Sequence, residues 1–175
     1  MCKTLFIRGN KISLRTFKED DITERFISWL NDPQVVGYSN QRFHTHTYES
    51  CFQYLCSFSN TSNIYLAIVD ATTGCLYGSI TAYCNTHHGT ADIGILLGDR
   101  TVWGQGIGYE CYNLLMNYLF DCLGLRKITA GTLRKNIGML KVLEKVGMKL
   151  ESVRKKHEIV DAEAVDLLYF AKFSQ

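Results

Sequence analysis

Trp103-Gly104-Gln105-Gly106-Ile107-Gly108-Tyr109 lies between an apolar run at residues 91–97 and the most regular helical pattern in the chain. In that pattern Ile107, Cys111, Leu114, Leu115, Tyr118, Leu119 and Cys122 recur at the spacing of one helix face. Three glycines at alternate positions let main-chain N–H groups approach a bulky anion, because no Cβ stands in the way. A helix N-terminus adds unpaired donors and partial positive charge, which suits phosphate oxygens. The run lacks the Gly-Lys-Ser/Thr of a P-loop, and Tyr109 stands where Gly-x-Gly-x-x-Gly requires its last glycine. Taken alone, the glycines fit a tight structural turn as well as an anion site.

Upstream of this turn, residues 64–69, 76–83 and 91–97 read as three successive strands, the first closed by a turn at Asp70-Ala71-Thr72-Thr73-Gly74. Downstream, residues 127–133 read as a strand rich in β-branched side chains. Asn136 then opens a helix with Leu140, Leu143 and Val146 inside, ended by Gly147. Two strands, residues 149–160 and 165–173, are expected to join near Asp161-Ala162-Glu163. At the start, Leu5-Phe6-Ile7 and Ile12-Ser13-Leu14-Arg15 read as a strand or a bent pair. An amphipathic helix carrying Ile22, Phe26, Trp29 and Leu30 follows, with Asp20-Asp21 as its N-terminal acids and Asn31-Asp32-Pro33 as its stop. A second helix is expected after Thr47, with Tyr48, Cys51, Phe52, Leu55 and Phe58 on one face. The order β, α, α, β, β, β, α, β, α, β, β predicts an α/β chain of the mixed α+β kind, a sheet covered by helices. A doubly wound fold would need stricter strand–helix alternation and ranks second.

The 175 residues are 46% hydrophobic and 21% charged, which fits one globular domain over residues 1–175. A formal charge of +2 is too small to mark a nucleic-acid or membrane surface, so neither partner is expected. The densest basic run, Arg154-Lys155-Lys156, reads as a solvated strand end. Seven cysteines, an odd number without a CxxC pair, read as reduced core residues of a cytoplasmic protein. The first nine residues hold no apolar run of leader length, and nothing elsewhere approaches the ~18 apolar residues of a membrane helix.

Several ordered motifs together resemble the GNAT superfamily of acetyl-CoA-dependent acetyltransferases. The family's pyrophosphate loop has the form Gln/Arg-x-x-Gly-x-Gly/Ala. Gly106 and Gly108 take its glycine positions, while Trp103 stands where Gln or Arg is usual, which removes one side-chain contact. Leu14-Arg15-Thr16-Phe17 with Asp20-Asp21, and Trp29-Leu30-Asn31-Asp32-Pro33, look like the branch containing ribosomal-protein N-terminal acetyltransferases. Ala91-Asp92-Ile93-Gly94 is similar to its Ala-Glu-Ile-Gly strand. Asn136 with Leu143-Glu144-Lys145-Val146-Gly147-Met148 is similar to its Asn-containing helix and closing Glu-Lys-x-Gly-Phe.

The resemblance implies the GNAT fold: a mostly antiparallel mixed sheet with a central splay, flanked by helices. It implies acetyl-CoA as co-substrate, held by Ile95, Leu96 and Leu97 of the splayed strand, by Trp103, Gly104, Gln105, Gly106, Ile107, Gly108 and Tyr109, and by Asn136. Asp92 takes the place of the family's carboxylate base, and a strand-end carboxylate bonded to a nearby N–H is the plain alternative. His88, beside His87, is a rival base because imidazole titrates near neutrality. The family's usual acids are absent, since their positions are Leu143 and Met139. Tyr109 is a substitute or a packing tyrosine, and a thiol of pKa about 8.5 leaves tolerably as thiolate.

In that fold the stretch Ser39 to Thr47 borders the acceptor pocket, so Arg42, Phe43, His44 and His46 are candidate substrate contacts. Solvated histidines ahead of a Thr47 N-cap are the alternative. His44-x-His46 is too short and partnerless for a metal site, and no metal is expected. This stretch, the His88-Gly89 turn and Val165-Asp166-Leu167-Leu168-Tyr169 look similar to GNAT enzymes that acetylate amino-sugar nucleotides in surface-polysaccharide or flagellin-sugar pathways. The expectation is thus a small-molecule amine acceptor and a monomer or homodimer. A protein N-terminal acetyltransferase and a degenerate acetyl-CoA-binding module that releases no CoA are the alternatives.

Overall fold

The structure is a computed structural model that describes residues 4–174. A hairpin of β1 (Phe6–Arg8) and β2 (Ile12–Thr16) opens the chain, which then crosses one face of the sheet as α1 (Glu24–Leu30), α2 (Pro33–Val36) and α3 (Tyr48–Cys56). Strands β3 (Ile64–Asp70), β4 (Leu76–Asn85) and β5 (Thr90–Leu97) follow as an antiparallel meander. Helix α4 (Ile107–Asn117) leads to β6 (Lys127–Leu133), and α5 (Ile137–Lys145) to the hairpin of β7 (Lys149–Val160) and β8 (Glu163–Phe173). The eight strands form one sheet in the order β1-β2-β3-β4-β5-β6-β8-β7. Every neighbouring pair is antiparallel except β5–β6. A doubly wound sheet would be parallel nearly throughout, so the mixed sheet is the correct reading.

Strand alternation sorts the apolar side chains onto two faces. Ile12, Leu14, Leu66, Ile68, Ile80, Ile93 and Ile128 pack beneath Cys111, Leu115 and Leu119 of α4 and its extension and Leu143 of α5. On the other face Tyr65, Ala67 and Val69 meet Phe17, Phe26, Trp29, Cys51 and Phe58. Strand β3 supplies both cores, which is why its sequence is a continuous apolar run.

Local chemistry moved several boundaries. Helix α1 starts after Thr23, whose hydroxyl accepts the Phe26 N–H. Asp20 and Asp21 lie in a separate 3-10 turn ahead of it, Glu19–Asp21. There Asp21 is buried and takes the Arg15 guanidinium through two bonds of 2.7 and 2.6 Å. Pro33 begins a helix as well as ending one: Asp32 caps α2, and the first helical position needs no N–H. The segment expected to be irregular contains a 3-10 turn, Asn40–Phe43. Tyr48 points outward at the start of α3 with its hydroxyl on Glu19, so it is not part of that helix's buried face. Cys51 and Cys111 are buried and Cys84 partly so, but Cys56, Cys75 and Cys122 are exposed, which corrects the expectation of core cysteines. Cys2 lies outside the described residues. The basic run Arg154-Lys155-Lys156 sits inside β7, where pairing with β8 slips between Arg154 and Glu158. Among the described residues no helix is long and apolar enough to cross a membrane.

The end of β5 is seated by α1. A Cβ on Gly98 would lie 2.1 Å from a carbon of the Trp29 indole. The Arg25 guanidinium stacks 5.0 Å from the Trp29 ring centre and pairs with Asp99 at 2.6 Å. Gly98→Ala is therefore expected to destabilise the fold by about 1–3 kcal/mol, the usual cost of overfilling a packed site. Urea denaturation reads this, and an unchanged midpoint would mean that Trp29 gives way freely.

Candidate active site

Strands β5 and β6 stay paired over only three positions: Thr90 with Lys127, Ala91 with Ile128, and Asp92 with Thr129. Beyond Asp92 the two strands part, although β4 stays paired with β5 as far as Leu97. This opening is the splay expected from the sequence. Main-chain groups facing the gap need partners, since a buried unpaired carbonyl is costly. The buried Tyr112 hydroxyl of α4 donates to the Ile93 carbonyl at 3.2 Å. The Trp103 indole N–H donates to the Leu97 carbonyl at 2.9 Å. Alternation puts the Ile95 main chain on that same side, between the two filled positions. Trp103 thus serves the end of β5, at the position where the family usually carries Gln or Arg.

The glycine loop enters α4 from the open end of the splay. Gly104 and Gly106 adopt φ of +75° and +83°, in the left-handed region, and a Cβ on either would meet nothing within 4 Å. Gly106 is the N-cap of α4, and its conformation turns the chain into the helix. Gly108 also has a packing task. A Cβ there would stand 3.3 Å from Val142 and 3.6 Å from Leu97, so its bare backbone lets α4, α5 and β5 approach. Gln105 offers its carbonyl to the Lys11 ammonium at 2.8 Å, which ties the loop to the β1–β2 turn. Asn136 caps α5 by accepting the Met139 N–H at 3.1 Å.

Asp92 stands at the apex of the splay, on the face that carries α1 to α3. Its Oδ2 accepts the Thr129 hydroxyl at 2.6 Å. Solvent reaches the side chain, yet the surrounding protein raises the carboxyl above its ordinary value by desolvation, and the Thr129 bond pulls it back down. Across β4 the neighbour is Tyr83, whose hydroxyl lies 2.5 Å from that of Tyr54 on α3. Tyr109 belongs to the opposite face with α4, its ring 4.6 Å beneath the Lys145 ammonium, so the structure does not bring it to Asp92. His87 and His88 are exposed in the β4–β5 turn, where the His88 carbonyl accepts from Arg126.

The expected acceptor residues divide. Arg42 is occupied: its guanidinium reaches the Ile159 carbonyl at 3.1 Å and Glu158 at 3.5 Å, and it stacks on Phe43 with 4.2 Å to the ring centre. His46 leans on the Gln41 carbonyl, and its main chain is held by Asn31. Phe43 and His44 are exposed.

A second set continues the Asp92 face; the sequence singles out Tyr169 only within the stretch 165–169 and presents Arg154 only as part of a solvated basic run. Gly131 follows Thr129 on the same side of β6, and a Cβ there would come within 3.2 Å of the Tyr169 ring, which fills that space. Arg154 stacks on the same ring, 4.9 Å from its centre. The path Asp92, Thr129, Gly131, Tyr169, Arg154 is continuous. Alternation along β6 marks Thr129 and Gly131 as one face, but only the β6–β8–β7 register brings in Tyr169 and Arg154. Among the described residues no ion pair neutralises Arg154, Lys155, Lys156 or His157.

Comparison with known proteins agrees with this geometry. The family profile described as an acetyltransferase (GNAT) domain matches residues 11–149. The chain belongs to the GNAT acetyltransferase family. It is similar to an uncharacterized N-acetyltransferase, p20, of Bacillus licheniformis, 25% identical over 165 residues that cover 92% of each chain. It is also 25% identical over 150 residues to an uncharacterized protein of Methanocaldococcus jannaschii, covering 85% of this chain but only 30% of that one. Among solved structures, the ribosomal-protein-S5-alanine acetyltransferase of Vibrio fischeri superposes with a TM-score of 0.83 at 19% identity, over 98% of this chain and 97% of that one. The spermidine N-acetyltransferase of Vibrio cholerae, in complex with CoA and spermine, gives a TM-score of 0.83 at 16% identity, over 95% and 97%. These two likenesses are likenesses of fold.

The two kinds of glycine predict two kinds of damage. Gly106→Ala must place a side chain in the left-handed region and is expected to cost about 1–2 kcal/mol without touching the core. Gly108→Leu is expected to cost more, because it wedges α4 from α5. Equal shifts of the denaturation midpoint for the two variants would contradict this division.

Proposed function

We propose that the chain transfers the acetyl group of acetyl-CoA to a primary amine, with an amino-sugar nucleotide as the favoured acceptor. Support for the cofactor comes from the loop and the gap together. Gly104 and Gly106 leave open space above left-handed backbone at a helix N-terminus, which suits a diphosphate. The Ile95 main chain, facing the gap left by β6, suits an amide-bearing arm laid alongside β5. Acetyl-CoA would supply the thioester: the amine nitrogen bonds its acyl carbon, the C–S bond breaks, and coenzyme A leaves as its thiolate. Asp92 receives the proton of the acceptor ammonium, directly or through water, and the partial desolvation that raises its proton affinity favours this task. An N–H of β5 aimed at the developing oxyanion supplies electrostatic stabilisation.

The observation that carries the acceptor class is Arg154, stacked on Tyr169 and in no ion pair among the described residues, on the same floor as Asp92. A carboxylate at one end binds the amine, and a guanidinium at the other suits a phosphate. Lys155 and Lys156 beside it add positive charge that opposes a polycation such as spermidine. The protein N-terminal reading draws support from the ribosomal-protein acetyltransferase among its structural neighbours. Tyr169 and Arg154 take over the anion-binding role that the sequence suggests for Arg42, while Phe43 and His44 remain available at the exposed edge.

An acceptor panel read by free thiol release separates the readings. Amino-sugar nucleotides are expected to turn over faster than N-terminal peptides or spermidine, whereas tight acetyl-CoA binding without release from any amine would identify a binding module. Asp92→Asn is expected to lower kcat on the order of 10²-fold with cofactor affinity retained. Arg154→Ala should raise KM about tenfold for phosphate-bearing acceptors only, as removal of one charged hydrogen bond implies. Gly106→Val should abolish coenzyme A binding by calorimetry, and unchanged affinity would remove the loop from the cofactor site.

A further inference from the structure

We propose that Thr129 is a positioning residue for the amine-deprotonating carboxylate: its hydroxyl clamps Asp92 across the splay apex, holding Oδ2 and leaving Oδ1 to meet the acceptor. This rests on Asp92 as the base in the reading above.

The geometry is specific. Asp92 and Thr129 are the last pair before β5 and β6 separate, so main-chain pairing stops constraining Asp92 on its splay side. The 2.6 Å side-chain bond takes over where that pairing ends. The same hydroxyl oxygen lies 3.4 Å from the Ala91 carbonyl, which keeps Thr129 seated over β5. Asp92 Oδ1 makes no hydrogen bond among the described residues. A carboxylate with one oxygen fixed and one open has a single direction in which to accept a proton.

The hydroxyl also sets how strongly that oxygen holds a proton. Bonding to the ionised form favours the carboxylate, and desolvation opposes it. Among the described residues no other titratable or charged group hydrogen-bonds Asp92, although Tyr112 feels its charge. Tyr83 of β4 bonds Tyr54 of α3. Tyr112 of α4 is spent on the Ile93 carbonyl from the opposite face. Lys127, two positions before Thr129 on the same face of β6, pairs with Glu151 of β7 at 2.5 Å. His88 sits in the exposed β4–β5 turn.

The test uses Thr129→Val, which keeps the β-branched shape and removes the hydroxyl, and Thr129→Ser, which restores it. The Asp92 carboxyl is titrated by carbon NMR in the cofactor-free protein, with Asp92→Asn assigning the signal. The acid limb of kcat/KM is measured in parallel. Because the base must be ionised, loss of the hydroxyl is expected to move both titration and acid limb to higher pH. Rates on that limb should fall about tenfold, and Thr129→Ser should return both towards wild type. An unmoved carboxyl titration in Thr129→Val overturns the proposal, as does a moved titration that Thr129→Ser fails to restore. A moved titration with an unmoved acid limb also overturns it, and full activity of Asp92→Asn would then show that the fault lies in the choice of base. Should Thr129→Val fail to fold, Thr129→Ala is read by the same two measurements.

Discussion

The parting of β5 from β6 after three residue pairs is the constraint on which the remaining architecture depends. A sheet interior tolerates no unpaired polar backbone without compensation. The neighbours of the gap are accordingly chosen to refill it: a buried tyrosine at one end and an indole N–H at the other. What they leave between them is the main chain of Ile95. The opening is bounded by side chains from two different surroundings, the buried Tyr112 and the exposed Trp103.

The splay also joins the two faces of the sheet. The glycine loop and α4 belong to one face, and Asp92, Thr129 and Tyr169 to the other. In the proposed reading, the diphosphate of the cofactor lies at the helix N-terminus and the amine comes from the side of α1 to α3. Packing around the gap is firm on both sides. Trp29 presses on Gly98 below the loop, and Val142 presses on Gly108 above it. Neither contact touches the chemistry, yet both fix where the strand ends and the helix begins.

Much of this was legible in the chain. The order of elements along the chain and the turn into α4 follow from periodicity, because each element buries one regular face; the mostly antiparallel sheet and its splay are implied by the family resemblance. The boundaries that moved are those set by side-chain bonds to the backbone: Thr23 and Asp32 decide where α1 and α2 begin, and an apolar count cannot weigh them. Gly106 and Gly108 look equivalent in sequence and differ in structure, since one answers to a dihedral and the other to a neighbouring helix. Arg42 looks available in the sequence because its partners on β7 lie 116 and 117 positions away. Thr129 reads there only as a strand residue, Arg154 only as part of a basic run, and Tyr169 stands out only through the family resemblance; what joins them is a strand register that local patterning does not encode.

The link from Arg42 to Glu158 and the Ile159 carbonyl fastens the 3-10 turn to the far half of β7. Residues 116 positions apart in sequence thereby share one anchor. A change that loosens the β7–β8 hairpin is felt in the segment between α2 and α3, which no local reading of either stretch would foresee.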